Sequence, residues 1–381
     1  MNRTTRWAKF AHVNPVVLTA VMVLLVIGTV MVYSASSLTA AEQFKDSAHY
    51  LKRHLFSGAI GLVAMTIVFL LNLRWLKAAA LPGLVICGLL LLVTALTSHG
   101  VEAKHATRWL SFRGFTFQPS EFAKPFLLLY VAAYLAKKGE GITDFFRGLL
   151  PLLLTVGGVL LLILRQPDFG TAVALALCVL VMLFVARARL WHIGGLAALV
   201  SVSGFFLIQG AGYRRRRLLA FLNPWGDPQG SGFQILQSFV AFQRGGLQGQ
   251  GLGDGTQKLL YLPEAHTDFI YSVIAEELGI LGCMLVIACF VCIVYQGFRL
   301  ALKIRDTFGS QAALGLTTLI GTQAVLNMAV VTALVPTKGM TLPLVSYGGS
   351  SLIAMLIAIG ILLSLSSTIA GSKPMARRRP V

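Results

Sequence analysis

Ten apolar runs, each near the length that crosses a bilayer, constrain this chain more than any other feature. They lie at about 15–36, 55–72, 78–97, 119–136, 149–165, 168–186, 193–211, 269–297, 312–335 and 351–371. A hydrocarbon core about 30 Å thick needs roughly 20 apolar helical residues. Backbone in lipid must satisfy its own hydrogen bonds, so only helices or closed barrels cross. The runs are continuous and lack the two-residue alternation of barrel strands, which selects helices. The expected fold is an all-α integral membrane protein, a ten-transmembrane-helix bundle forming one domain over 1–381. Only Gln166 and Pro167 separate the fifth and sixth runs, so the turn there must be tight. With 56% hydrophobic and 12% charged residues, an ordinary soluble enzyme, a disordered chain and a disulfide scaffold are excluded. Cys87, Cys178, Cys283, Cys289 and Cys292 all sit inside apolar runs. They read as small hydrophobes, and neither a disulfide nor a cysteine metal site is expected. The first run is long enough to span and has no clear cleavage site, so no cleavable signal peptide is expected.

The net charge is +18. In a multi-span chain this excess belongs to loops that set topology and meet anionic headgroups, so no nucleic-acid partner is expected. An even number of spans places both termini on one side. With the termini inside, the inner segments hold 17 Lys and Arg and the outer ones 15, six of these in the segment 212–268. Setting that loop aside leaves 17 against 9, which favours cytoplasmic termini. The loop 212–268 is rich in Gly, Gln and Arg but also carries Phe221, Trp225, Phe233, Ile235, Leu236, Phe239 and Phe242. It is expected to be one long extracytoplasmic loop with short amphipathic helices near the membrane surface, notably over 232–242.

Polar groups at membrane depth cost several kcal/mol unless paired or hydrated, which makes each a functional candidate. Gln118-Pro-Ser-Glu121 precedes Lys124, and Glu121 and Lys124 stand at the i,i+3 spacing of an ion pair. Arg165-Gln-Pro-Asp168 repeats that pattern; Asp168 serves either as an N-cap or as a site carboxylate paired with Arg165. Glu264, His266 and Asp268 meet at the mouth of the eighth span, and Glu276 and Glu277 follow inside it. Glu276 lies about 12 Å below Asp268 along a helix. A cap accounts for one of these residues and leaves the rest unexplained, so function is favoured. Pro336 to Ser351 interrupts the membrane pattern with Lys338, Ser346, Tyr347, Gly348 and Gly349. Broken backbone at that depth is tolerated where it lines a cavity. Arg214 to Arg217 is a run that suits either a solvated face or a phosphate grip. Carboxylates, cations and glycine-rich backbone gathered at one end suit a substrate with a lipid tail and an anionic, sugar-like head. No Walker, dinucleotide, zinc or serine-hydrolase signature is present.

These motifs resemble the SEDS family (shape, elongation, division and sporulation). They are Met31-Val-Tyr-Ser-Ala-Ser36, Arg108-Trp-Leu110, Gln118-Pro-Ser-Glu121, Asn223-Pro-Trp-Gly-Asp-Pro-Gln-Gly-Ser-Gly-Phe233, Leu262-Pro-Glu-Ala-His-Thr-Asp-Phe269 and Lys338-Gly-Met-Thr-Leu-Pro-Leu-Val-Ser-Tyr-Gly-Gly-Ser350. The longer motifs follow the cell-division branch. Gly255-Thr-Gln257 and Ala275 lean toward the rod-elongation branch, and Asn223 stands where an Asp is common. The resemblance implies a peptidoglycan glycosyltransferase of the bacterial inner membrane that polymerises lipid II, septal if the division branch holds. It implies Asp268 as the essential carboxylate, suited to act as general base. Arg108 and Lys338 are the expected grip on the leaving pyrophosphate, and Trp109 packs on lipid or sugar. Glu121, Lys124, Asp168, Glu264, His266, Ser346, Tyr347, Gly348 and Gly349 are further substrate-binding candidates. No organic cofactor is expected; a divalent cation, Mg²⁺ or Mn²⁺, suits the pyrophosphate. The implied partners are a class B penicillin-binding transpeptidase and other divisome membrane proteins. The rival reading is a lipid II flippase, which should place polar groups along a path through both leaflets. Most acids here lie toward one face instead.

Overall fold

The computed structural model describes residues 13–96, 101–103, 106–112, 115–210, 212–230, 232–257, 264–337 and 339–370. Lys338, the termini and residues 258–263, including Tyr261, lie outside them. Twelve α-helices lie among the described residues. They are α1 Pro15–Phe44, α2 His49–Leu70, α3 Leu73–Leu96, α4 Pro119–Lys138, α5 Leu150–Arg165, α6 Phe169–Val185, α7 Leu190–Gln209, α8 Gly212–Leu222, α9 Phe233–Gly245, α10 Ile270–Lys303, α11 Thr307–Val331 and α12 Gly349–Ala370. A helix covers each of the ten apolar runs. Eight are long and apolar enough to cross a membrane, α5 counted from Phe145. The other two are α6, apolar but 17 residues long, and α4, which carries Glu121 and Lys124 in its first turns.

The bundle departs from an all-α reading at one place. Strands β1 Val101–Ala103, β2 Ala106–Phe112 and β3 Phe115–Phe117 form a small antiparallel sheet in the order β1-β2-β3 between α3 and α4. In it Leu110 pairs with Phe117 and Trp109 with Val101. The segment is too short and too polar to span, and pairing its strands is how its backbone finds partners.

Local chemistry explains the helix ends. Asn14 Oδ1 accepts from the Val16 and Val17 amides, and Pro15 occupies the first helical position of α1. Pro119 starts α4, with Glu121 in its first turn and Lys137 and Lys138 in its last, as the helix dipole favours. The tight turn after α5 consists of residues 166–168, and Asp168 caps α6.

The core runs along the bundle axis through residues such as Val21, Leu24, Met31, Leu127, Leu175, Ile293, Leu316 and Leu356. Large apolar side chains also cover the outside, for example Val63, Leu154, Leu161 and Phe206. That is the pattern of a helical protein solvated by lipid. In lipid, helices associate through close packing rather than apolar burial. The α2–α12 contact depends on this: a Cβ at Gly360 would stand 2.6 Å from the Met65 carbonyl oxygen. By contrast, α7 buries no residue and packs mainly on α6 and α8.

The described parts of the segment 212–268 are structured. Helix α9 matches the amphipathic stretch expected over 232–242, but it packs on α10 with Ile235, Leu236, Ser238 and Ala241 buried. Ser238 Oγ donates to the Val331 carbonyl (2.6 Å) and meets Ser272 Oγ at 2.7 Å. Residues 246–257 then fold back onto a break in α10 at Gly279, whose φ of 66° and ψ of −166° leave the helical region. The break frees hydrogen-bonding groups of the helix, and the loop takes them up. Ile280 N donates to Gly246 O (3.0 Å), Gln250 N to Glu276 O (2.9 Å) and Gly251 N to Glu277 O (3.1 Å).

Candidate functional site

The bundle end that carries the starts of α2, α4, α6, α10 and α12 encloses a cavity of about 1280 Å³. Among the described residues five cations line it, Lys52, Arg53, Arg108, Arg214 and Arg217, with four carboxylates, Glu121, Asp168, Glu264 and Asp268. Trp109, Phe56 and Phe169 supply aromatic wall, and Thr337, Gly339, Tyr347, Gly348 and Gly349 supply the broken segment before α12. Charged groups of both signs stand there beside apolar wall, a surface complementary in chemistry to an amphiphile.

Asp268 sits in the turn that opens α10. The Glu264 carbonyl, at a φ of 60°, accepts from Thr267 N (3.1 Å) and Phe269 N (3.3 Å), and Thr267 Oγ1 donates to Glu264 Oε2 (2.8 Å). Asn327 of α11 clamps the turn from below. Its Nδ2 donates to the Asp268 carbonyl (2.9 Å) and to the Met340 carbonyl (2.7 Å). The acidic turn is thereby tied to the segment before α12. Across that joint the Asp268 carboxylate faces Gly339: a Cβ there would stand 3.1 Å from Oδ2.

Arg108 donates from Nε to the Gln166 carbonyl (2.7 Å) and from Nη2 to the Pro167 carbonyl (2.6 Å). It pins the Gln-Pro-Asp turn to the strand β2 while remaining on the cavity wall. Asp168 Oδ1 caps Thr171 N (3.2 Å), as the N-cap reading expects, and the residue also lines the cavity. Arg165 is exposed and forms no ion pair with it.

Other candidates stand back from the wall. Lys124 is fully buried and pairs with Glu121 Oε2 at 2.6 Å, so of the two only Glu121 reaches the cavity. Ser346 is buried, and its Oγ accepts from Leu342 N (2.8 Å), closing the local turn. His266 contributes its carbonyl to Tyr347 N (2.9 Å) and packs its ring between Tyr50 and Tyr347. Burial raises the Tyr347 hydroxyl above the usual tyrosine range, which keeps it a donor.

Glu276 and Glu277, read from sequence as functional, hold the folded-back loop instead. Glu276 accepts from Thr256 N (2.9 Å), Thr256 Oγ1 (3.1 Å) and Gln257 N (3.1 Å). Glu277 accepts from Ser34 Oγ (2.6 Å) and Gly253 N (3.1 Å). Neither lines the cavity, because the break at Gly279 brings loop amides to them. Ser34 belongs to the motif at the end of the first span, and this contact gives that motif a structural use.

Lys52, Arg53, Gln323 and Asn327 escaped the sequence reading. A signal existed for the first two. Cations in the first turns of a helix oppose its dipole, so an anion is the natural reason for them.

Fold and site together define a multi-pass helical membrane protein with an ion-lined cavity at one end. The family model described as cell cycle protein, covering FtsW, RodA and SpoVE, matches residues 15–370. The chain belongs to this family, the SEDS family of the sequence resemblance. It is 46% identical to a probable peptidoglycan glycosyltransferase FtsW of Geobacter metallireducens, over 94% of this chain and 95% of that one. It is 42% identical to stage V sporulation protein E of Bacillus subtilis, over 91% and 94%. Among solved structures it resembles a chain of a peptidoglycan synthase complex studied for coordination of polymerization and crosslinking. The TM-score is 0.77 at 30% identity, covering 94% of this chain and 98% of that one. It also resembles the rod shape determining protein RodA of Thermus thermophilus, with a TM-score of 0.68 at 28% identity, covering 93% and 96%.

Proposed function

We propose that this protein is a peptidoglycan glycosyltransferase that polymerises lipid II at the outer face of the cytoplasmic membrane during cell division. The observation that carries the reading is Asp268, held at the helix mouth on the wall of a cavity lined by five cations. The sugar hydroxyl of one substrate attacks the anomeric carbon of the other. Asp268 takes the hydroxyl proton as the new carbon–oxygen bond forms. The bond from that carbon to the lipid pyrophosphate breaks, and the pyrophosphate leaves with the electron pair. Arg53, Arg108, Arg214, Arg217 and Lys52 offset its charge, and Lys338 is assigned to the same task. Trp109, Glu121, Asp168, Glu264, Tyr347, Gly348 and Gly349 shape the pocket, while Lys124, His266 and Ser346 support them from behind. A Mg²⁺ or Mn²⁺ ion suits the pyrophosphate. Among the described residues no three His, Cys, Asp or Glu side chains come together to hold one; bound to the substrate, it would offset part of the pyrophosphate charge.

Ten spans, one domain over 1–381, the loop 212–268 on the outer side and both termini in the cytoplasm complete the reading. It places the protein at the septum with a class B penicillin-binding transpeptidase and other divisome membrane proteins, since no acylating serine motif for crosslinking is visible here. The likeness to a chain of a peptidoglycan synthase complex supports such a partner. Purified protein with the partner and labelled lipid II tests the activity. Wild type is expected to make glycan polymer and Asp268→Ala none, at equal folding. Polymer from Asp268→Ala would overturn the role of Asp268. Polymer from neither, with lipid II translocation in vesicles, would replace the reading with a flippase.

A further inference from the structure

A row of rings leads out of the cavity at the junction of α1 and α2. Tyr347 lines the cavity. Tyr50 meets it edge to face, with centroids 5.1 Å apart, and sits 4.7 Å from His266. His49 follows at 5.6 Å from Tyr50, and Phe44 stacks on His49 at 4.0 Å with planes only 6° apart. Phe44 ends the row and is 47% exposed. Polar groups accompany the rings: Tyr50 Oη donates to Gln43 Oε1 (3.4 Å), and Asp46 pairs with Lys52 (2.8 Å), itself on the cavity wall. Asp46 Oδ1 also accepts from Ala48 N (3.1 Å), and Lys45 closes α1 with a left-handed φ of 55°, so the turn carrying the rings is braced.

An aromatic belt in the lipid headgroups would account for single rings at this level. Helix length argues against it. Helix α1 has 30 residues, whereas about 20 to 22 cross the hydrocarbon, so its last eight rise about 12 Å beyond. A headgroup layer is only about 6 Å deep on each side. The row therefore stands at the outer limit of the hydrocarbon or above it, stacked on itself and on His266 and Tyr347. Flat apolar faces beside hydroxyl-binding side chains are complementary to a pyranose, which offers a C–H face and a hydroxyl edge.

We propose that Phe44, His49 and Tyr50 form an exit step that holds the sugar strand after it leaves the cavity. The ligand is the glycan product, bound through the exposed Phe44 ring, which His49 and Tyr50 hold in place, and through the Gln43–Asp46–Lys52 edge. The inference rests on the glycosyltransferase reading. A strand held at a second point stays at high effective concentration near the site and is extended again before it escapes.

The test uses the full-length protein with partner transpeptidase and labelled lipid II, scored for initial rate and for strand length. Phe44→Ala is expected to shorten strands about threefold at an unchanged initial rate, through loss of that local concentration. Phe44→Trp, which keeps a flat ring, should restore the length. Unchanged strands in folded protein would overturn the proposal; a parallel fall of rate and length marks a folding defect and passes the question to Gln43→Ala, where unchanged strands overturn it. Gln43→Ala, exposed and outside the stack, is the variant to read if Phe44→Ala does not fold; it too should shorten strands without slowing initiation. Binding of lipid-free glycan oligosaccharide to Asp268→Ala protein separates this idea from the activity itself. Saturable binding that Phe44→Ala removes supports the step even if wild type makes no polymer, and absence of binding refutes it.

Discussion

Lys124 shows how one side chain can read as a ligand and be something else. Its i,i+3 spacing to Glu121 was visible in the sequence, but complete burial of the ammonium was not. A buried ion pair is costly to break because the remaining charge is stranded. Lys124→Met is expected to destabilise the protein by about 3–5 kcal/mol, and Glu121→Gln combined with Lys124→Met should recover most of that. Thermal unfolding in detergent measures both. Gly339 makes the opposite point. A methyl group there stands 3.1 Å from Asp268 Oδ2, so Gly339→Ala should displace the carboxylate by a few tenths of an ångström. The expected result is a turnover lower by about 10- to 100-fold with lipid II affinity preserved, since small misplacements of reacting groups cost rate. Single-turnover assays beside equilibrium binding separate the two quantities.

Helix α10 is the element whose form departs most from its sequence pattern. An unbroken apolar run with two glutamates suggests acids working at membrane depth. The chain instead breaks at Gly279 and gives the freed backbone groups and both carboxylates to residues 246–257. Each hydrogen bond to a charged acceptor contributes about 1.5–3 kcal/mol. Glu276→Ala should therefore cost about 3 kcal/mol and loosen the loop, whereas Glu276→Gln, which keeps an acceptor oxygen, should cost less. Limited proteolysis between 246 and 257 reports the loosening directly. Polymer yield should fall with it, because the same loop leads through 258–263 to the acidic turn. The helices α1 to α7, α11 and α12 lie where apolar length placed them. The sheet between α3 and α4 was not foreseen, because its strands have only three to seven residues and no alternation strong enough to mark them.

At the scale of the molecule, all charged groups of the cavity gather at one end of the bundle, and the topology proposed here turns that end outward. In a Cys292→Ser background, Thr116→Cys at the cavity should react with a membrane-impermeant thiol reagent added to intact spheroplasts. Lys303→Cys, at the other end of α10, should react only after the membrane is opened. Reversed labelling would invert the topology. Hydrophobic run length determined the helical membrane class, since lipid offers the backbone no other partner, and the polar motifs marked most of the cavity wall, among them Asp268, Arg108, Asp168, Glu264 and Tyr347. Which polar residues face the cavity, and which only support its walls, was decided by packing. Lys52 and Arg53 share a cavity with Asp268, some 215 residues further along the chain, and Asn327 joins the acidic turn to the segment before α12. Sequence spacing describes neighbours on one helix; it carries no record of which helices lie side by side, and in a bundle that adjacency alone brings the charges together.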